Sequence, residues 1–125
     1  MPAYDNSFNL PAPVADVVIA HPVRGARRSA LRGKLDSGAD IPVIPERLVS
    51  QLGLIPRGHA WTRGYDGTYS RPLVFYVRLR VESFDLPSVR CVTSDRATVL
   101  VGRNVLNRFL FILDGKNLTW DMQNP

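Results

Sequence analysis

The segment Lys34-Leu35-Asp36-Ser37-Gly38-Ala39-Asp40 is the starting point for interpreting this sequence. It places a carboxylate directly after a predicted strand and shortly before a glycine. The carboxylate then sits at the end of a rigid element, and Gly38 allows another backbone to approach it closely. Ser37 adds a hydroxyl that can hydrogen-bond to nearby backbone. Because Asp, Ser and Gly are also favoured in ordinary turns, this stretch alone is a weak signal of a site.

A second segment, Val99-Leu100-Val101-Gly102-Arg103-Asn104-Val105-Leu106, lies well downstream. Apolar residues precede a glycine, and a short helix that starts with arginine is predicted to follow it. Between the two segments, Asp66-Gly67 lies among polar and aromatic residues over 61–70. This dipeptide is the strongest two-residue hairpin signal in the chain.

Short strands dominate the rest of the prediction. Periodicity and β-branched residues predict strands over 14–20, 30–35, 73–81, 88–93 and 98–101, and a C-terminal hairpin formed by 109–113 and 118–122. Short helices are predicted over 45–54 and 103–108. Residues 1–13 read as an extended N-terminal arm, and residues 14–125 as one closed or sandwiched β-domain.

Composition excludes several classes of protein. The 125 residues are 45% hydrophobic and 22% charged, with a mean hydropathy of −0.07, which is typical of one soluble globular domain. No apolar stretch is long enough to cross a bilayer, and no secretory signal is visible, so a cytoplasmic location is expected. The single cysteine, Cys91, excludes an internal disulfide framework and a multi-cysteine metal site. We expect neither a cofactor nor a metal.

The net charge of +5 raises the question of a nucleic-acid partner. The sequence holds sixteen basic residues, but they are scattered, and one tight group stands out: Arg24, Arg27, Arg28 and Arg32. Interleaved basic and aromatic residues along a strand pair are missing. A solvated basic surface is therefore favoured over a nucleic-acid-binding β-barrel, and no nucleic-acid partner is expected.

Taken together, the two segments resemble the two signatures of the retropepsin-like aspartic proteases, and the Asp66-Gly67 hairpin lies where that family has its flap. The resemblance runs roughly from Val14 to Met122. It implies an all-β, retropepsin-like acid-protease half-barrel with one or two short helices that forms a two-fold dimer. The C-terminal hairpin is more similar to bacterial and cellular single-domain relatives than to viral members, which end in one short strand. Pro42 also departs from the viral pattern, which has a hydroxyl residue there.

The resemblance also implies a mechanism, in which Asp36 and its symmetry mate form a dyad that shares one proton and activates water for peptide hydrolysis. The resemblance also implies that Ser37, Gly38 and Ala39 support the active-site loop. The second motif consists of Leu100, Val101 and Gly102. Asp40 would contact substrate backbone and pair with Arg103 in a buried or half-buried fork.

The flap residues Gly64, Tyr65, Asp66 and Gly67 are candidates for substrate binding, because a flap presents backbone donors to an extended peptide. Tyr65 and Tyr69 are candidate pocket walls, although hairpin aromatics more often only pack. The leading hypothesis is a homodimeric aspartic endopeptidase that acts on proteins or peptides. The alternative is a catalytically silent retropepsin-like domain that binds peptides or dimerises.

Overall fold

Alternation of apolar and polar residues along short strands builds this fold. In the strand Phe75–Val81, for example, every second residue is buried and the residues between them are exposed. The computed structural model describes residues 1–64 and 66–125. Its strands are β1 Val14–Ala20, β2 Arg28–Leu35, β3 Val43–Pro45, β4 Thr62–Arg63, β5 Tyr69–Ser70, β6 Phe75–Val81, β7 Phe84–Ser94, β8 Val99–Val101, β9 Leu110–Asp114 and β10 Thr119–Gln123, and its helices are α1 Arg47–Leu52 and α2 Arg103–Leu106.

Six strands form a closed barrel in the order β1-β2-β8-β3-β7-β6, and β6 pairs back with β1. The pairs β2–β8 and β3–β7 are parallel, whereas the other pairs in the barrel are antiparallel. Two separate hairpins, β4–β5 and β9–β10, lie outside the barrel. The prediction of an all-β domain with two short helices is confirmed.

The core consists of aliphatic side chains that point into the barrel. Val17 and Ile19 of β1, Leu79 of β6 and Val101 of β8 are at most 1% exposed. At Gly33 of β2 an added Cβ would lie 2.9 Å from a methyl of Val17, so neighbouring strands pack here without room for a side chain. Trp120 and Met122 of β10 join the same cluster and tie the C-terminal hairpin to the barrel.

Most element boundaries differ from the prediction by a residue or two, and two of the differences have a clear structural cause. Helix α1 begins at Arg47 rather than Pro45, because Val43–Pro45 forms β3 between β7 and β8. Strand β7 begins at Phe84 rather than Ser88, since β6 and β7 are joined by a tight turn in which Glu82 has a φ of +52°. No glycine or proline marks that turn in the sequence, so the pattern did not indicate it.

The N-terminal arm lies along the outer edge of β10. Ala3 pairs with Thr119, the Trp120 N–H donates to the Pro2 carbonyl at 2.9 Å, and the Tyr4 N–H donates to the Leu118 carbonyl at 2.8 Å. The arm therefore extends the C-terminal hairpin by a short third strand. Neither helix of the described residues is long and apolar enough to cross a membrane.

Candidate active site

The parallel pairing of β2 with β8 brings the two sequence segments together. Lys34 lies opposite Leu100 and Leu35 opposite Val101, and the Asp36 N–H donates to the Val101 carbonyl at 3.0 Å. Parallel strands finish at the same edge of a sheet. Asp36 and the glycine that follows Val101 therefore leave the barrel side by side.

The loop after β2 holds the Asp36 side chain through its own backbone. The Gly38 N–H donates to Asp36 Oδ1 at 2.8 Å, and the Ala39 N–H donates to the Asp36 carbonyl at 3.3 Å. A Cβ at Gly38 would lie 3.1 Å from the same carboxylate oxygen, a tight contact. Asp36 is half-buried and Ser37 is exposed. The carboxylate is thus oriented by a rigid loop and still open to solvent on one side.

Helix α2 is joined to the Asp36 loop by backbone hydrogen bonds. The first N–H groups of a helix lack partners within the helix. Here the Arg103 N–H donates to the Ala39 carbonyl at 2.8 Å, and the Asn104 N–H donates to the Asp40 carbonyl at 3.1 Å. The two backbones are in close contact here, since a Cβ at position 102 would lie 2.6 Å from the carbonyl carbon of Ile41. The glycine of the second motif therefore permits the docking of the two loops.

Asp40 and Arg103, which the sequence analysis expected to pair, are in contact. Arg103 Nη2 donates to Asp40 Oδ1. The pair is nevertheless open to water, since the Asp40 side chain is 81% exposed and the Arg103 side chain 50%. Within a single chain, therefore, water reaches both members of the pair.

The β4–β5 hairpin follows a different turn from the one predicted. Strands pair through Thr62 with Ser70 and Arg63 with Tyr69. The Gly67 N–H donates to the Gly64 carbonyl at 3.0 Å, and Gly67 has a φ of +83°. The connection over 64–68 is therefore longer than a two-residue Asp-Gly turn, and Gly67 supplies its left-handed position.

Two other predicted flap residues complete this turn. The Thr68 N–H donates to Asp66 Oδ1 at 2.9 Å, and this hydrogen bond lowers the pKa of Asp66 below its ordinary value. The Gly64 N–H donates to the Thr68 carbonyl at 2.7 Å. Tyr65, the remaining candidate, lies outside the described residues.

A cleft of about 430 Å³ separates the hairpin from the Asp36 loop. The loop contributes Gly38, Ala39 and Asp40 to its lining, and the hairpin side contributes Trp61, Thr62, Arg63 and Tyr69, while Ile41, Val43 and Val92 line the rest. One wall therefore presents backbone and a carboxylate, and the other presents aromatic and cationic groups.

On the hairpin side of the cleft, Trp61, Thr62 and Arg63 were not among the predicted site residues. Trp61 is 73% exposed and lines the cleft, with the Arg71 guanidinium 5.7 Å from its ring centroid. Arg63 lies at the same distance, 5.7 Å, from the ring of Tyr69. Their place at the start of the hairpin was the one available signal, because which strand face meets the Asp36 loop depends on the folded turn.

Comparison with known proteins supports this geometry. A family model described as aspartyl protease matches residues 23–105. Comparison with curated proteins gives no match.

Solved structures of viral proteases share the fold. The EIAV protease in complex with the inhibitor HBY-793 matches with a TM-score of 0.57 and 20% identity, over 77% of this chain and 86% of that one. The simian foamy virus (mac) protease matches with a TM-score of 0.57 and 18% identity, over 76% and 92%.

A longer protein also matches, the foamy viral protease-reverse transcriptase in complex with an RNA/DNA hybrid. Its TM-score is 0.57 and its identity 21%, over 77% of this chain but only 12% of that one. The present chain thus corresponds to a small part of that polypeptide. Because the family model spans more than half of the sequence and the viral proteases share its architecture, the chain belongs to the aspartyl protease family and has the retropepsin-like fold.

Proposed function

We propose that this chain is an aspartic endopeptidase that works as a homodimer. The observation that carries the proposal is the position of Asp36, half-buried in a loop fixed to both β8 and α2, beside a cleft large enough for peptide side chains. The sequence contains one Asp-Ser-Gly segment. A second copy of the chain therefore supplies the second carboxylate.

Two Asp36 carboxylates placed a few ångströms apart hold one proton between them, because like charges at that distance resist simultaneous ionisation. The ionised carboxylate takes a proton from a bound water, and the water oxygen attacks the peptide carbonyl carbon. The protonated carboxyl gives its proton to the carbonyl oxygen. The tetrahedral intermediate then collapses: one of its hydroxyls returns a proton to the ionised aspartate, the C–N bond breaks, and the carboxyl that took its proton from water gives it to the departing amine. The two groups titrate as a coupled pair.

The remaining predicted roles belong to this proposal. Ser37, exposed beside Asp36, would hydrogen-bond across the dimer axis, and Asp40 would contact substrate backbone from the cleft wall. The β4–β5 hairpin would act as the flap, closing over a bound peptide and excluding water. Tyr69 lines the cleft and would bound a substrate pocket. The cytoplasmic location and the absence of a nucleic-acid partner stay predictions.

The test is cleavage of a peptide library prepared from denatured proteins, read by mass spectrometry from acidic to neutral pH. Asp36→Asn should lower kcat/KM by about 10³-fold, within the range for loss of general acid–base catalysis. Asp16→Asn, at an exposed position on the outer face of β1, is the matched control and should cleave like the wild type.

Two outcomes would contradict the proposal: equal cleavage by Asp36→Asn and wild type, or no cleavage by either. Sedimentation adds an independent check, because a chain that stays monomeric at high concentration cannot form the dyad. Peptide binding without cleavage would favour the silent-domain alternative.

A further inference from the structure

A second cleft lies on the outer face of the barrel, on the other side of Asp36 along β2. Its volume is about 380 Å³, and it is lined by Phe8, Lys34, Val43, Ser94, Arg96, Thr98 and Leu100. Val43 lines both clefts, so they meet at that residue. Gly38 to Asp40 line the first cleft and Lys34 lines the second. The chain therefore passes through Asp36 between them.

Lys34 lies on the outward face of β2, two positions before Asp36, which directly follows the strand. Residues two apart in a strand point to the same side and lie about 7 Å apart. Along β2, Gly33 and Leu35 are buried while Lys34 is half-buried, which places Lys34 on the outward face. The Lys34 Nζ lies 5.4 Å from the ring centroid of Phe8, which belongs to the N-terminal arm. The arm thus forms one wall of the cleft and holds the ammonium group near the ring.

The charged side chains in the described lining of this cleft are both cationic. Lys34 and Arg96 supply two cations, and the described residues that line the cleft include no acidic one. Among the described residues, neither of these two cations forms an ion pair, and the basic residues that do are Arg32, Arg78 and Arg103. Hydroxyls of Ser94 and Thr98 add hydrogen-bond donors, and Val43 and Leu100 supply apolar wall. Such a lining matches a side chain with an aliphatic stem and a carboxylate at its end.

We propose that this second cleft selects an acidic side chain, glutamate or aspartate, in the peptide that lies across Asp36. The proposal rests on the peptide-cleaving function above and names its substrate class. Because Lys34 is two residues from Asp36, the acidic residue falls within about three positions of the bond that is cut. Lys34 and Arg96 are specificity-determining residues that bind the carboxylate, and they take no part in the bond-breaking step.

The experiment has a cleavage arm and a binding arm. In the first, the wild-type enzyme digests the peptide library, and mass spectrometry reports which residues flank each cut. In the second, the Asp36→Asn variant is applied to an array of decapeptides that differ in Glu against Gln at each position. Both arms are repeated with Lys34→Glu and with the double variant Lys34→Glu/Arg96→Glu. Lys116→Glu, in the exposed turn between β9 and β10, is the matched charge control.

Glutamate or aspartate should be enriched about tenfold over its amide at one position near the cut. This factor lies between the preference that an exposed ion pair would give and the larger preference that a desolvated, charged hydrogen bond would give. The double variant should lose this preference or prefer Lys and Arg, and Lys116→Glu should keep it. Cleavage without an acidic preference, or a preference that survives the double variant, would overturn the proposal. If nothing is cleaved but the array still shows the acidic preference, the endopeptidase proposal fails and the acidic cleft stands. If the array shows no preference either, both fail.

Discussion

Replacing Gly102 with alanine tests whether the docking of α2 on the Asp36 loop holds the site together. The added Cβ would lie 2.6 Å from the carbonyl carbon of Ile41 and 2.8 Å from its Cα and carbonyl oxygen. All three atoms belong to the backbone, so no side-chain rotation can relieve the overlap. The loop and helix must move apart instead.

The cost follows from two contributions. Overpacking of a close contact destabilises by about 1–3 kcal/mol. Separation also weakens the hydrogen bonds from Arg103 and Asn104 to the carbonyls of Ala39 and Asp40, each worth about 0.5–1.5 kcal/mol. We expect Gly102→Ala to lower the free energy of unfolding by about 3 kcal/mol. Domains of this kind have about 5–15 kcal/mol in total, so the variant should still fold.

Urea unfolding followed by tryptophan fluorescence provides the assay. Trp120 is 1% exposed and reports loss of the core, whereas Trp61 is 73% exposed and should change little. Gly115→Ala is the matched control, because a Cβ there meets nothing within 4 Å. The unfolding midpoint should fall for Gly102→Ala at an unchanged urea dependence. A loss of unfolding free energy within about 0.5 kcal/mol of that measured for Gly115→Ala would show that the loop and helix accommodate a Cβ at position 102.

Burial and exposure elsewhere give two further predictions. Burial raises the pKa of the Cys91 thiol to about 12, so it should react with a thiol reagent at pH 8 only when urea unfolds the chain. The unfolded thiol ionises near its ordinary pKa of 9.0, so between pH 9 and 12 the native state binds one more proton than the unfolded state. The free energy of unfolding should therefore fall over this range by at most about 1.4 kcal/mol per pH unit, and the fall should be smaller in Cys91→Ala. An equal fall in both proteins would contradict this prediction. For the exposed pair of Asp40 and Arg103, a double-mutant cycle with alanine should give a coupling in unfolding free energy below about 1 kcal/mol, and a value above about 2 kcal/mol would show that the pair is shielded from water.

The sequence predicted those parts of the fold that short-range patterns determine. The β-branched run of β1 matched its strand bounds, Val14–Ala20, because periodicity and propensity agree there. Strand β3 was missed because Pro42 precedes it and Pro45 ends it, and two prolines so close together hide a short strand that tertiary pairing stabilises. The β6–β7 turn was missed because Glu82 adopts the left-handed region without a glycine signal.

In the candidate site, too, the features carried by short motifs were predictable, whereas those that depend on tertiary contacts were not. The order of the two motifs was visible in the sequence, and the resemblance indicated that Asp40 and Arg103 would pair. The clash that requires glycine at position 102 involves Ile41, a contact between distant parts of the chain, so spacing alone could not predict it. The exposure of the ion pair and the place of Trp61 in the cleft also depend on the folded surroundings.

The net charge takes on a more specific meaning once β2 is folded. The outward positions of this strand carry Arg28, Arg32 and Lys34, and the same face leads to Asp36. Arg32 is paired with Asp16 at 2.7 Å, so part of this charge is neutralised within the molecule. Lys34 forms no ion pair among the described residues, and it is the cation next to the proposed catalytic carboxylate. A peptide with an acidic residue near its cut site would therefore be attracted to the C-terminal end of β2, next to Asp36. Since Lys34 is half-buried, that attraction should weaken only partly as salt rises, whereas a purely surface effect would be largely screened.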